Sequence, residues 1–157
     1  MPPAASPTAL AIELDGVLGE TRVLWSDWLA DAGRVLGVEG RALPLDRGEA
    51  ADELDRAGAG NWRTLLERFA EDRAPVYLRR DAETSATLRR LAGDGVALGV
   101  FTDAPAELAE VALAQLGASR RLAALETGSH ALERLLAALG EGTTIVRTRE
   151  ELRRAAS

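Results

Sequence analysis

The feature of the sequence that most restricts its fold is an alternation of short apolar runs with helix-length segments. The runs TALAIEL, VALGVF, RRLAAL and TTIV begin at residues 8, 96, 120 and 143. From the second run onward, each run is followed by a segment whose apolar residues recur at helical spacing. Alternating strands and helices imply right-handed crossovers and a parallel sheet covered by helices on both faces. We therefore predict a three-layer α/β fold.

A block of helical segments separates the first run from the second. The first segment, TRVLWSDWLADAGRVLG, has apolar residues at helical spacing and a glycine that can end the helix. EAADELDRAG and NWRTLLERFAEDR predict two more helices, and VEGRALPLDRGE between the first two reads as a loop. We interpret residues 20–79 as an insertion into a core made of residues 1–19 and 80–157. Trp25, Trp28 and Trp62 all lie in this insertion, either as its core or as a surface for a ligand or protein partner.

The composition excludes several classes of site and partner. Acidic residues outnumber basic ones by 25 to 19, and the net charge of −6 argues against nucleic acid or an anionic membrane as partner. With no cysteine and one histidine, His130, the chain can form no disulfide, thiolate metal site or multi-histidine site. There is no run of about 18 apolar residues, so we expect no membrane-spanning helix and a cytoplasmic location.

Polar residues stand where three of the predicted strands end. Glu13 and Asp15 follow the first strand, Thr102 and Asp103 the second, and Arg147 the fourth. The carboxyl ends of parallel strands form the usual ligand site of such a sheet, so we expect these residues to converge. Two acids on one side of a buried strand need a metal ion, a cationic partner or solvent to compensate their charge. Thr102 and Asp103 could equally serve as caps of the helix that begins near Pro105.

Two of these strand ends resemble motifs of a known family. AIELDGVL is similar to an apolar strand followed by Asp-x-Asp-Gly-Thr/Val-Leu, and GVFTDAP is similar to a strand that ends in Thr or Ser. These are the first and second motifs of the haloacid dehalogenase-like (HAD) phosphohydrolases. The resemblance implies a Rossmann-like HAD core with strand order 4-1-2-3 and an inserted helical cap.

The resemblance also assigns roles to individual residues. Glu13 stands at the position of the nucleophile that forms a phosphoenzyme intermediate, and Asp15 at that of the general acid and base. Thr102, Asp103 and Gly16 correspond to positions that bind phosphate or permit the tight turn. Magnesium would be held by Glu13 and Asp15. The implied activity is a phosphatase acting on a small phosphorylated metabolite.

The chain departs from the family pattern at three places. Glu13 is one methylene longer than aspartate, and a displacement of about 1 Å can cost on the order of a hundredfold in rate. All 19 basic residues are arginine, so the lysine of the third motif is absent, and Arg134 or Arg120 would have to replace it. The fourth motif reads TIVRTREEL, with Arg147 where a metal-binding acid is expected and Glu150 and Glu151 shifted.

These departures leave two kinds of function open. The chain is a phosphatase-type protein with weak or lost catalysis, or a non-catalytic binding or protein-interaction module on the same fold. If magnesium is lost, a cation should replace it, and we expect Arg147 to pair with Glu13. His130 is interpreted as a surface residue in the first turn of a helix. The substrate and the oligomeric state are left open by the sequence.

Overall fold

A computed structural model describes residues 6–38 and 42–157, and its centre is a four-stranded parallel sheet. The strands are β1 (Ala9–Glu13), β2 (Ala97–Thr102), β3 (Ala124–Thr127) and β4 (Thr143–Val146). Their order in the sheet is β3-β2-β1-β4, which confirms the predicted order. β1 is central because it is paired in parallel with both β2 and β4.

Seven α-helices are formed by the described residues. They are α1 (Arg22–Leu36), α2 (Arg47–Arg56), α3 (Trp62–Tyr77), α4 (Ala82–Gly93), α5 (Ala106–Gln115), α6 (Ala131–Leu139) and α7 (Arg149–Ala155). Side-chain caps begin three of them: Asp46 accepts from the backbone N–H of Glu49, Asp81 from Thr84 and Thr148 from Glu151. None of these helices has the length and hydrophobicity needed to cross a bilayer.

The helices cover both faces of the sheet, as the alternation predicts. On one face, side chains of α4, α5 and α7 pack with Leu10, Ile12 and Val100 in the largest cluster of buried residues. On the other face, Ala131 and Leu135 of α6 pack against Ala11 and Phe101. Gly99 of β2 permits the close approach of α6, because a Cβ there would lie 2.7 Å from Leu135. The fold is therefore a three-layer α/β sandwich.

Helices α1, α2 and α3 lie between β1 and β2 and share a separate cluster of buried residues. Trp25, Trp28 and Trp62 are all buried in it, with neighbouring ring centroids 5.2 and 5.9 Å apart. The tryptophans therefore form the core of these three helices, and only Trp25 also lines a cavity among the described residues. This cluster also contains Ala104 and Leu108, so it packs directly on the start of α5.

Three sequence-based boundaries were wrong. The segment read as a loop up to residue 49 already contains the first turn of α2, which begins at Arg47. Helix α3 does not end before Pro75 but continues to Tyr77, since Ala74 and Leu78 anchor this turn in the core. The run RRLAAL begins with a short 3₁₀ turn, Ser119–Arg121, and β3 starts only at Ala124.

Candidate functional site

The predicted site residues meet at the carboxyl end of the sheet. Glu13, Asp15, Thr102, Asp103 and Arg147 all line one cavity of about 320 Å³. Its other described lining residues include Arg22 of α1 and His130, which precedes α6. The sheet order explains the convergence, because β2 and β4 flank β1 and all three strands end on the same side.

Asp15 lies in a tight turn directly after β1. Gly16 has a φ of +88°, a conformation that glycine adopts without strain, and its N–H donates to the Gly19 carbonyl at 3.0 Å. The Asp15 side chain is almost fully buried. Its Oδ1 accepts two hydrogen bonds from Thr21, from the backbone N–H at 2.6 Å and from the hydroxyl at 2.7 Å. One oxygen of this carboxylate is therefore fully engaged by the start of α1.

The second oxygen of Asp15 is bound by Arg47, a residue that the sequence analysis did not single out. Arg47 is only 2% exposed although it is charged. Its Nη2 donates to Asp15 Oδ2 and, at 2.8 Å, to Asp103 Oδ1. Its Nε donates to Asp103 Oδ1 at 3.0 Å and its Nη1 to the Thr21 hydroxyl at 2.7 Å. The guanidinium is thus the centre of a buried ion-pair cluster, which we call the Arg47 cluster (Asp15, Thr21, Arg47 and Asp103).

The backbone of α2 strengthens this arrangement. The N–H of Arg47 belongs to the first turn of the helix and donates to Asp103 Oδ2 at 2.9 Å. A carboxylate at a helix N-terminus satisfies an otherwise unpaired N–H and interacts favourably with the helix dipole. Asp103 therefore binds α2 through both the side chain and the backbone of one residue.

The charges in the Arg47 cluster shift the pKa of two of its members. Burial alone would lower the pKa of the Arg47 guanidinium, but the adjacent carboxylates of Asp15 and Asp103 outweigh burial and raise it. Burial alone would raise the pKa of Asp103, but hydrogen bonds from Arg47 outweigh it and lower this pKa below its ordinary value. Both groups are therefore held in their charged forms.

The Thr102 hydroxyl has a local role in this structure. It accepts a hydrogen bond from the backbone N–H of Ala104 at 3.2 Å, and Arg47 Nη2 lies 3.4 Å from it. Thr102 is buried, so its hydroxyl is shielded from solvent, and Arg47 lies on one side of it. The hydrogen bond from Ala104 makes a local turn before α5 and not a cap of that helix, because the N-cap residue of α5 is Pro105 and no side chain caps it.

Glu13 is more open than Asp15. Its carboxylate accepts from Arg147 Nη1 at 2.7 Å, and Arg22 Nη2 lies 3.6 Å away on the other oxygen. The expected pair of Glu13 and Arg147 is therefore present. The Glu13 side chain is 20% exposed and that of Arg147 is 53% exposed, so water reaches this pair. Arg147 also lies over the Phe101 ring, with Cζ 5.3 Å from the centroid.

The residues suggested as substitutes for the missing motifs lie elsewhere. Arg134 donates to the carbonyl oxygens of Thr127 and Ser129 and lines a neighbouring cavity. Arg120 lines a third cavity that shares no described residue with the Glu13 cavity. Glu150 pairs with Arg154 of its own helix at 2.6 Å. None of these three side chains lines the Glu13 cavity.

Two further residues border the site. Glu151 accepts a hydrogen bond from the Arg147 backbone N–H at 2.9 Å, so it holds the loop after β4. His130 is exposed, as expected, and its Nδ1 lies 3.0 Å from Glu133. It differs from the expectation in preceding α6 with a φ of +60°, which is uncommon for a residue other than glycine.

The carboxylates of Asp15 and Asp103 do not fit a magnesium ion. Mg²⁺ requires oxygen ligands that are free to point at it in octahedral geometry. Both Asp15 oxygens and both Asp103 oxygens are already used by Thr21 and Arg47. In the described ranges 6–38 and 42–157, no group of three or more His, Asp or Glu side chains is disposed to hold a metal ion.

A local signal in the sequence could have identified Arg47. Asp46 and Glu49 have the spacing of a helix-start motif, in which an acceptor at the cap is followed three residues later by Glu. Applying that rule would have moved the start of α2 to Arg47. It would not have shown that Arg47 reaches Asp15, which requires the position of the helix on the sheet.

Comparisons with known proteins establish the fold. No protein-family profile and no curated protein sequence matches the chain. Among solved structures, CbbY from Rhodobacter sphaeroides in complex with phosphate is similar, with a TM-score of 0.62 and 16% identity over 96% of this chain and 81% of that one. A dehalogenase with an intermediate complex is also similar, with a TM-score of 0.50 and 12% identity over 98% of this chain and 81% of that one. At these identities, the likeness is one of fold.

Proposed function

We propose that this chain, whose fold is that of the HAD-like hydrolases, is a non-catalytic binding or interaction module. The observation that carries the proposal is the buried guanidinium of Arg47 between Asp15 and Asp103. A general acid and base must exchange a proton with a substrate group within hydrogen-bond reach. Asp15 has all its described hydrogen bonds directed to Thr21 and Arg47, so it is not available for that exchange.

The absence of a suitable nucleophile and cation supports the same conclusion. Glu13 is longer than the aspartate of the family motif, and its oxygens face Arg147 and Arg22. Phosphoryl transfer depends on positioning and on cationic stabilisation of the phosphoryl oxygens. Arg47 supplies a positive charge, but both carboxylates beside it neutralise that charge. In this proposal the positive charge of Arg47 stabilises the folded protein but does not stabilise a transferred phosphoryl group.

We further propose that residues 20–79 act as a helical cap that is locked to the core. Helices α1–α3 have their own buried cluster, and Arg47 of α2 reaches two carboxylates that follow β1 and β2. A cap that opens and closes would have to separate these charges in the interior, which is costly. A locked cap suits a static binding surface better than a catalytic cycle.

The competing function is hydrolysis of a small phosphorylated metabolite. It is favoured by the partly exposed Glu13 carboxylate, which faces a cavity of about 320 Å³ together with Arg22 and Arg147. The volume is at the lower end of the range for small-molecule sites. CbbY, the similar structure described above, was solved with phosphate.

A steady-state assay with p-nitrophenyl phosphate and magnesium separates the two functions. We expect no turnover above that of the Glu13→Gln variant, which keeps the size of the side chain but removes its charge. We also expect saturating magnesium to leave the melting temperature unchanged. A ligand present at about a hundred times its dissociation constant would add about 2.7 kcal/mol. Magnesium-dependent turnover that Glu13→Gln abolishes would show that the protein is a phosphatase.

A further inference from the structure

The cavity that Arg120 lines, which shares no described residue with the Glu13 cavity, is lined mainly by basic and hydroxyl side chains. It has a volume of about 560 Å³ and lies between α4 and the segment that follows α5. Its polar side chains are those of Arg80, Arg89, Arg120, Arg121, Ser85 and Ser119. No aspartate or glutamate is among its described lining residues, although acids exceed bases by 25 to 19 in the chain.

The four arginines of this cavity differ from Arg47 and Arg147 in their lack of carboxylate partners among the described residues. Within the described residues, no ion pair joins Arg80, Arg89, Arg120 or Arg121 to an acid, whereas Arg47 and Arg147 each have at least one. Like charges held around one cavity repel each other, and the repulsion is relieved when an anion binds. The arrangement therefore favours a multiply charged anion over a neutral ligand.

Two of the four arginines are held in place by the end of α5. Arg80 Nε donates to the Gln115 carbonyl at 3.2 Å, and Arg121 Nη1 donates to the Gly117 carbonyl at 3.1 Å. Gly117 has a φ of +71°, and a Cβ there would lie 2.8 Å from Cζ of Arg80. The glycine thus allows the guanidinium to pack against the backbone. Two cationic groups are positioned before any ligand arrives, which reduces the entropy cost of binding.

We propose that this cavity binds a small molecule that carries two or more adjacent phosphate groups. Guanidinium groups match phosphate oxygens with paired hydrogen bonds, and several are needed to balance a diphosphate. The volume is that of a small-molecule site, and Ala114 and Leu116 give it an apolar part that can contact the rest of the ligand. The net charge of −6 disfavours nucleic acid as the ligand.

Titration calorimetry with inorganic pyrophosphate and with ADP tests the proposal. We expect both to bind, and orthophosphate to bind at least roughly tenfold more weakly because it engages fewer guanidinium groups. The double variant Arg89→Gln/Arg120→Gln should weaken pyrophosphate binding by roughly tenfold or more. Both side chains are exposed, so the fold should persist, and the melting temperature of the variant checks this.

A matched control removes the same charge elsewhere on the surface. Arg153→Gln/Arg154→Gln changes two exposed arginines of α7 that pair with Glu83 and Glu150, and it should leave pyrophosphate binding within about twofold. Equal weakening by both double variants would overturn the proposal, since it would reveal a net-charge effect. So would the absence of pyrophosphate binding, or tighter binding of a short single-stranded RNA than of pyrophosphate.

Discussion

Arg47 and Arg147 both hold a carboxylate near the end of β1, but water reaches them to very different extents. Arg47 is buried with Asp15, whereas the Arg147 and Glu13 side chains are both partly exposed. A buried charge that loses its partner cannot be stabilised by solvent, so breaking such a pair is expensive. When an exposed pair is broken, water solvates the remaining charge, so the loss of stability is small. The two arginines should therefore differ strongly in their effect on stability.

For Arg47→Ala, we expect a loss of roughly 3–5 kcal/mol in the free energy of unfolding, because Asp15 and Asp103 are left without their cation. Urea denaturation followed by circular dichroism measures it. Arg56→Ala is the matched control on the same helix, since Arg56 pairs with Glu53 at the surface and is 71% exposed. The control should change stability by no more than about 0.5 kcal/mol. Equal effects of the two substitutions would contradict the structural role of Arg47.

For Arg147→Ala, we expect a loss of only roughly 0.2–1 kcal/mol, the range of solvent-exposed ion pairs. The sequence predicts this pair but not its exposure, whereas in the structure water reaches both side chains. The effect should shrink further at high salt, where screening weakens exposed pairs. Denaturation at low and high ionic strength measures both quantities. A loss as large as that of Arg47→Ala would mean that Glu13 is buried.

At the scale of elements, the placement of α2 on the sheet decides the chemistry of the site. The first turn of α2 packs on the loop after β3, where a Cβ on Gly48 would lie 2.3 Å from the Ser129 nitrogen. Only a residue without a side chain allows this approach. Among the residues that the structure describes, none forms a hydrogen bond with the buried Ser129 hydroxyl oxygen. The contact of Gly48 with this loop brings Arg47 within reach of Asp15.

Gly48→Ala should therefore destabilise the protein by roughly 1–3 kcal/mol, as in other overpacked positions. Thermal unfolding is the measurement. Gly93→Ala is the control, because Gly93 also lies in a helix but a Cβ there meets nothing within 4 Å. That substitution should leave stability unchanged or raise it by about 0.4–1 kcal/mol. A neutral Gly48→Ala would show that α2 can move away from the β3 loop.

At the scale of the whole molecule, paired carboxylates that join different elements make stability depend on pH. Asp103 joins α2 to the end of β2, and hydrogen bonds from Arg47 hold its pKa below the ordinary value despite the opposing effect of burial. Asp55 contacts Trp62 and Arg63 of α3, and its pKa is also lowered although partial burial acts in the opposite direction. Both acids stabilise the folded state in their ionised form.

The sign of the pH dependence follows from the lowered pKa values of Asp103 and Asp55. A carboxylate whose pKa is lower in the folded state stabilises the fold above its unfolded pKa of about 3.9, and this contribution is lost as the pH falls through the lower folded value. We expect the free energy of unfolding to decrease as the pH is lowered below about 4. Asp103→Asn should be less stable at neutral pH and show a shallower decline in acid. Urea denaturation across this range measures it. Parallel curves for the two proteins would contradict the role of Asp103.

Sequence periodicity was sufficient to predict the sheet and the edge where its polar residues meet. Strand and helix patterns are local, and handedness and layering rules convert an alternation of them into a parallel sheet covered by helices. The strand order 4-1-2-3 was implied by the resemblance of AIELDGVL and GVFTDAP to family motifs. For this reason Glu13, Asp15, Thr102 and Arg147 could be placed at one edge before the structure was known. The pair of Arg147 and Glu13 was predicted because Arg147 stands where the resemblance places a metal-binding acid, and β4 does lie beside β1.

Arg47 could be placed only by the tertiary structure. Its partners Asp15 and Asp103 lie 32 and 56 residues away along the chain, and no local rule relates them. The contact of Arg47 with these two carboxylates depends on how the buried cluster around Trp28 positions α2 against the sheet. That position is a property of side-chain packing. The sequence determined by itself that the charge of two acids at the end of β1 would need a metal ion, a cationic partner or solvent to compensate it. The three-dimensional packing decided that the compensating charge comes from a buried arginine of α2, because only burial of α2 on the β3 loop brings a guanidinium between carboxylates that are remote in the chain.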